Sequence, residues 1–274
     1  MIKTYKPTSA GIRFRKTLVR DVDKVRPEKA LTMSKKGHSG RSKGRVSIRH
    51  RQRGAKNHYR IIDFKRDKFD IEAIVKTIEH DPNRGCDIAL LAYLDGEKRY
   101  ILAPEGLKRG ASVVSGKTAP HTIGNSFPLE KIPLGVRVHN VEINPGKGGQ
   151  LARGAGNSAV IMAKEGSHVN LKLPSGEVKK ILGICLATIG VLGNSDRRLT
   201  RFGKAGRKRY AGWRPEVRGV VMGANSHPHG GSYSDNGIGM PSPKTPWGKK
   251  ARGVKTRRRK YTDKYIVTDR RKKR

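Results

Sequence analysis

Cys86-Asp87-Ile88-Ala89-Leu90-Leu91-Ala92-Tyr93-Leu94-Asp95-Gly96-Glu97-Lys98-Arg99-Tyr100-Ile101-Leu102 is the stretch from which the fold is read. Cys86–Leu94 is an apolar run. Asp95-Gly96 is a two-residue hairpin signal, and Glu97–Leu102 returns as the partner strand. Upstream, Ile61, Ile62 and Phe64 open a β-like run, and Ile71–Ile78 mixes Ile and Val with charges. Downstream, Ala111–Val114 is another short strand. Short strands separated by turn signals predict a small barrel. A second set begins near Leu129. Val136 and Val138, then Val141 and Ile143, predict a strand broken by a bulge or register change near Asn140. Ala159–Ala163 is short and apolar, and Val169, Leu171 and Leu173 alternate. Pro174-Ser175-Gly176 turns the chain, Val178–Leu182 returns, and Ile184–Ile189 closes the set. No segment shows long helical periodicity. The middle of the chain therefore reads as all-β, two small barrels in series with a junction near residues 115–130.

Charge divides the chain the same way. Residues 1–60 carry 19 Lys and Arg against 3 Asp and Glu, residues 61–196 carry 18 against 15, and residues 197–274 carry 24 against 4. A nearly neutral middle thus bears two strongly cationic ends within a net charge of +39. Self-repulsion opposes compaction of such ends in isolation, and nucleic acid is the partner with enough negative charge to settle them. Hydrophobic content is 34% and aromatic content 5%, so only the middle looks able to bury a core. Cys86 and Cys185 have no metal or disulfide spacing and read as small core residues of a reducing compartment. No apolar run reaches ~20 residues, so no membrane helix is expected. The first residues lack a signal-peptide apolar stretch, and Asp21, Asp23 and Glu28 weaken a transit-peptide reading.

Two segments imitate nucleotide-binding loops. Ala111-Ser112-Val113-Val114-Ser115-Gly116-Lys117-Thr118 nearly fits the phosphate loop, but Pro120 and Gly124 do not open the helix it requires. Gly154-x-Gly156-x-x-Ala159 likewise precedes only a short apolar run. The wider segment from Asn144 to Arg153 reads better as a Gly-rich loop, with Lys147 and Arg153 to pair with phosphates. His227-Pro228-His229-Gly230-Gly231 has three readings. Two imidazoles can bind a metal, but Asp235 is the sole nearby carboxylate. A His can serve as general base, but no nucleophile or orienting acid accompanies it. An RNA loop suits the cationic surroundings best. Tyr210, Trp213, Tyr233 and Trp247 interleave with Arg207, Lys208, Arg209, Arg214 and Lys249. They either stack on bases or anchor the tail in a local cluster.

Taken in order, Gly40–Arg51, Asp95–Pro104, Pro145–Arg153, Lys164-Glu165-Gly166, Leu173–Glu177, Gly203–Arg207, Arg218–Met222 and His227–Gly231 resemble large-subunit ribosomal protein L-two, over nearly the whole chain. The His-Pro-His-Gly-Gly form is closer to the bacterial and organellar branch. The chain departs from the family around that motif. Gly223-Ala224-Asn225-Ser226 stands where Asn-Pro-Val-Asp is common, and Ser232-Tyr233-Ser234 where Gly-Glu-Gly is common. The resemblance implies an OB-like barrel followed by an SH3-like barrel, with basic extensions threaded into large-subunit rRNA near the subunit interface and the peptidyl-transferase centre. It implies roles in assembly, subunit association, tRNA binding and peptide-bond formation. The expected parts are an arm over 1–58, an OB-like barrel over 59–124, an SH3-like barrel over 125–195 and an extension over 196–274.

The expected RNA contacts on the arm are Arg41, Lys43, Arg45, Arg49, His50, Arg51 and Arg53. In the middle they are Lys147 and Arg153. On the extension they are Lys204, Arg207, Arg209, Trp213, Arg214 and Arg218, the loop residues His227, His229, Gly230 and Gly231, and Arg257, Arg258 and Arg259. Expected partners are large-subunit rRNA, the small subunit and other ribosomal proteins, in the cytoplasm or an organelle. No cofactor, metal, membrane, small-molecule substrate or catalytic residue is expected. Two rival classes remain on the residues alone: a hydrolase or acyl transferase using His227 or His229, and a nonspecific DNA-compacting protein. Turnover without RNA would mark the first, and equal affinity for duplex DNA and rRNA the second.

Overall fold

The apolar run at the start of the quoted stretch is a strand buried on both faces, which is why its polarity does not alternate. The computed structural model describes residues 1–34, 40–231 and 237–271. Before the barrels the chain forms three short antiparallel ribbons. They pair β1 (Ile2–Thr4) with β2 (Lys16–Leu18), β3 (Thr32–Ser34) with β6 (His58–Arg60), and β4 (Arg41–Ser42) with β5 (Arg45–Val46). The first barrel sheet follows. It contains β7 (Ala73–Glu79), β8 (Ile88–Tyr93), β9 (Lys98–Leu102) and β10 (Ser112–Val113) in the order β10-β7-β8-β9. Ala89, Leu91 and Tyr93 of β8 meet Ala73, Val75 and Ile101 on one face. Ile88 and Leu90 meet Tyr100, Leu102, Ile62 and Leu192 on the other. The β8–β9 turn carries Gly96 at φ 85°, as the Asp-Gly pair predicts.

The second sheet has seven strands: β11 (Ser126–Pro128), β12 (Arg137–His139), β13 (Ala159–Glu165), β14 (His168–Lys172), β15 (Val178–Leu182), β16 (Leu186–Ile189) and β17 (Ile266–Thr268). Their order is β11-β16-β12-β13-β14-β15-β17, and the core includes Phe127, Leu129, Val138, Ile161, Leu171 and Ala187. The predicted break near Asn140 is real: β12 ends at His139, and Asn140 sits at φ 51°. Both cysteines are buried and free. Burial, and then the charge of Glu142, pushes the Cys185 thiol up to about 11. The β-like run predicted at Ile61–Phe64 is displaced: the strand is His58–Arg60, and Ile62 makes only a single bridge to Tyr100. Ahead of β3 the chain makes a 3-10 turn at Lys29–Leu31.

These barrels belong to one compact unit, comprising the described residues of Met1–Lys36, Lys56–Lys204 and Thr262–Arg274. The second unit joins Gly37–Ala55 to Ala205–Tyr261. It has little apolar core and is held largely by main-chain bonds. Gln52 and Ala55 N–H groups donate to Gly212 O (3.0 Å) and Tyr210 O (2.9 Å), and Arg214 N–H donates to His50 O (3.0 Å). Helix α2 (Ala205–Tyr210), the longer of the two α-helices among the described residues after α1 (Ala10–Arg13), lies in this second unit.

One buried polar group gives the first unit a pH signature. His139 is 1% exposed, and its Nδ1–H donates to Gly190 O (3.0 Å). Burial, outweighing that bond, holds the imidazole down at about 4. An unfolded histidine titrates near ~6.5, so the neutral ring's contribution is complete above that pH and is lost as pH falls through about 4. The full contribution is about 3 kcal/mol. Thermal stability of the protein should therefore fall between pH 7 and pH 4, and His139→Gln should flatten that profile. An equally steep profile in the variant would place the titrating group elsewhere.

Candidate nucleic-acid interface

The Gly-rich loop of the first unit is a rigid projection. Lys147 N–H closes a turn onto Asn144 O (3.3 Å), and Gly148 N–H donates to Glu142 Oε1 (2.8 Å). Gly149 N–H donates to Phe64 O (2.8 Å), and Gln150 and Leu151 N–H both donate to Val141 O (2.8 and 3.0 Å). Five successive amides are therefore engaged inside the protein. The glycines serve close approach to the chain itself: a Cβ on Gly149 would overlap the side chain and carbonyl of Asn140. Over Lys147–Leu151 only side chains are left to meet phosphates. Lys147 and Arg153 are both exposed, and the Arg153 guanidinium lies 4.5 Å above the Phe64 ring. Lys204, also exposed, lies in this unit too.

The other predicted contacts come together in the second unit, although the sequence separates them into arm and tail. Lys43 (φ 49°) and Gly44 (φ 75°) form a primed hairpin turn between β4 and β5, which leaves Arg41, Lys43 and Arg45 exposed. Arg51 stacks 3.5 Å over Trp213, and Arg49 lies 5.4 Å over Trp247. Trp213 thus has one ring face occupied by Arg51 and is 39% exposed. Arg53, Arg214, Arg218 and Arg257–Arg259 are exposed, and Arg259 lies 5.4 Å over Tyr261. Arg207 and Arg209 ride on α2, where Arg209 O accepts from Gln52 Nε2 (2.7 Å). His50 Nδ1 contacts Pro215 O at 3.0 Å.

The His227–Gly231 loop folds back on itself. His227, 8% exposed, accepts the His229 N–H at Nδ1 (3.1 Å), and His229 accepts the Lys244 N–H at Nε2 (2.9 Å). The rings lie 4.7 Å apart, tilted 57°. Gly230 packs so closely on Met222 and Gly223 that a Cβ there would overlap both carbonyls. Gly231, at φ 92°, donates its N–H to Met222 O (3.2 Å). In the tautomers these bonds require, neither ring keeps a free lone pair. Asp235, Tyr233, the Ser232–Ser234 departure and residues 35–39 and 272–274 lie outside the described residues.

Both nucleotide-loop imitations lack their helix. Gly116 abuts Asp70, whose Oδ1 accepts from Thr118 Oγ1 (3.1 Å), and Gly154–Ala159 leads directly into β13. Among the described residues, no three His, Cys, Asp or Glu side chains are grouped to hold a metal ion, and no helix is long and apolar enough to cross a membrane.

Residues missing from the sequence-based site are Glu142, Phe64 and Asn140, which build the loop from behind. The available signal was Glu142 itself, a lone acid between Val141 and Ile143. Two family models match the chain: "Ribosomal Proteins L2, RNA binding N-terminal domain" over residues 28–115, and "Ribosomal Proteins L2, C-terminal domain" over residues 122–248. The first covers the OB-like barrel and the cationic segment before it. The second covers the Gly-rich loop, the SH3-like barrel and the histidine loop. Consecutive matches over most of the chain, on an all-β pair of barrels with exposed cationic loops, give one conclusion: the chain belongs to the ribosomal protein L2 family, RNA-binding structural proteins of the large ribosomal subunit that work in translation.

Proposed function

We propose that this protein is held in large-subunit rRNA near the peptidyl-transferase centre and the subunit interface. There it supports assembly, subunit association, tRNA binding and peptide-bond formation without contributing a catalytic group. The carrying observation is the exposed cationic set of residues 41–53 and 205–218, joined into one unit by main-chain bonds. Affinity comes mainly from Lys and Arg on phosphates. Specificity comes from RNA shape, because the A-form major groove is too narrow for side chains to read. The working division is an arm over 1–58, barrels over 59–124 and 125–195, and an extension over 196–274. The further partners are the small subunit and neighbouring ribosomal proteins, in cytoplasmic ribosomes. The occupied lone pairs of His227 and His229 favour a loop-shaping role over a general base. Sedimentation of tagged protein from lysate, with and without ribonuclease, tests the reading. Co-migration with the large subunit, lost on RNA digestion, is expected. A free, ribonuclease-insensitive species would overturn it.

A further inference from the structure

We infer that Glu142 is the positioning residue of the Gly-rich loop, presetting it for RNA before RNA arrives. The inference rests on the proposed phosphate contacts of Lys147 and Arg153. Glu142 is 1% exposed and lies in an apolar stretch, between Val141 and Ile143. Burying a carboxylate without a cation is costly unless donors are aimed at its oxygens. Here both oxygens have one. Oε1 accepts from Gly148 N–H (2.8 Å), and Oε2 accepts from Leu186 N–H (3.0 Å). One donor belongs to the loop and the other to β16, so the carboxylate pins the loop to the barrel wall. Gly148 directly follows Lys147, so this pin sets the backbone from which the Lys147 side chain projects. A leucine in its place would avoid the charge but leave two buried N–H groups unpaired. A loop already fixed has less ordering to lose when phosphates engage it.

The test uses Glu142→Gln, whose amide offers one acceptor oxygen and turns its NH2 toward the other donor. Binding to deproteinised large-subunit rRNA is measured against salt for the protein, E142Q, the Lys147→Ala/Arg153→Ala pair, and the triple variant. E142Q should bind about tenfold more weakly with an unchanged salt slope, because the cations remain. In the K147A/R153A background it should add nothing. An equal loss in both backgrounds would assign Glu142 a general structural role and overturn the inference. Should K147A/R153A alone leave binding untouched, the phosphate reading fails separately. Amide exchange then decides the positioning: Gly148 and Leu186 protected in the protein and released in E142Q supports it, and unchanged protection sinks it. If E142Q does not fold, Gly148→Ala carries the experiment. Its φ of +87° and a Cβ 3.3 Å from the Phe64 carbonyl displace the loop while leaving the buried carboxylate in place.

Discussion

Replacing Lys147 and Arg153 together with alanine is expected to lower the slope of log affinity against log salt by about 1.4 to 1.8, two phosphate contacts at ~0.7 to ~0.9 each. At ~0.1 M salt this amounts to binding weakened about 25- to 60-fold. The expectation depends on the loop geometry. All amides from Lys147 to Leu151 are already bonded within the protein, so none of these five stands ready to replace the lost cations. The loop itself should survive, because neither side chain makes the hydrogen bonds that hold it. Unfolding temperature should therefore stay put while the slope falls. Salt titration of rRNA binding checks this, and a slope equal to that of the unsubstituted protein would remove both residues from the phosphate surface.

Gly230→Ala is expected to be strongly destabilising to the second unit. The added methyl would overlap two main-chain carbonyls, Met222 O and Gly223 O, neither of which can swing aside like a side chain. A cost on the order of 3 kcal/mol follows from forcing the backbone apart. The chain has two tryptophans, Trp213 and Trp247, and both belong to this unit. Tryptophan fluorescence should thus report early unfolding in the variant while the barrels' circular dichroism melts as before. His229→Ala should produce a milder version, about 1–3 kcal/mol, because it leaves only the Lys244 N–H without its acceptor. Coincident fluorescence and dichroism transitions in both variants would refute an independent loop-shaping role. A rate loss in peptide-bond formation that tracks a titrating imidazole, with rRNA docking intact, would instead return the histidine to catalysis.

The barrels were legible because their strands declare themselves locally. Asp95-Gly96 marks its own turn, and Val178–Leu182 is a strand over the residues the pattern predicts. Signals failed where the partner is remote or the bond is to backbone. Ile266–Thr268 is too short, and too deep in a cationic tail, to be read as a strand without knowing that β15 has an open edge. Residues 50–55 and 209–215 join largely through main-chain N–H and C=O groups, which nearly every residue type supplies, so composition could not pair them. The candidate cations were legible from charge alone. Their scaffold was not, since Glu142 and Asn140 act through hydrogen bonds to main-chain groups, which composition does not reveal.

The place of β17 in the sheet bears on how the molecule is made. β15 is synthesised well before Ile266, so its outer edge stands open while the whole of 183–265 emerges. An open strand edge invites pairing with another chain during that interval. β15 carries Lys179 and Lys180 at its centre, charges that discourage such pairing until its own late partner arrives. Biosynthesis thus leaves one seam unsealed until Ile266–Thr268 emerges, and nascent chains stalled before Ile266 are where self-association should concentrate.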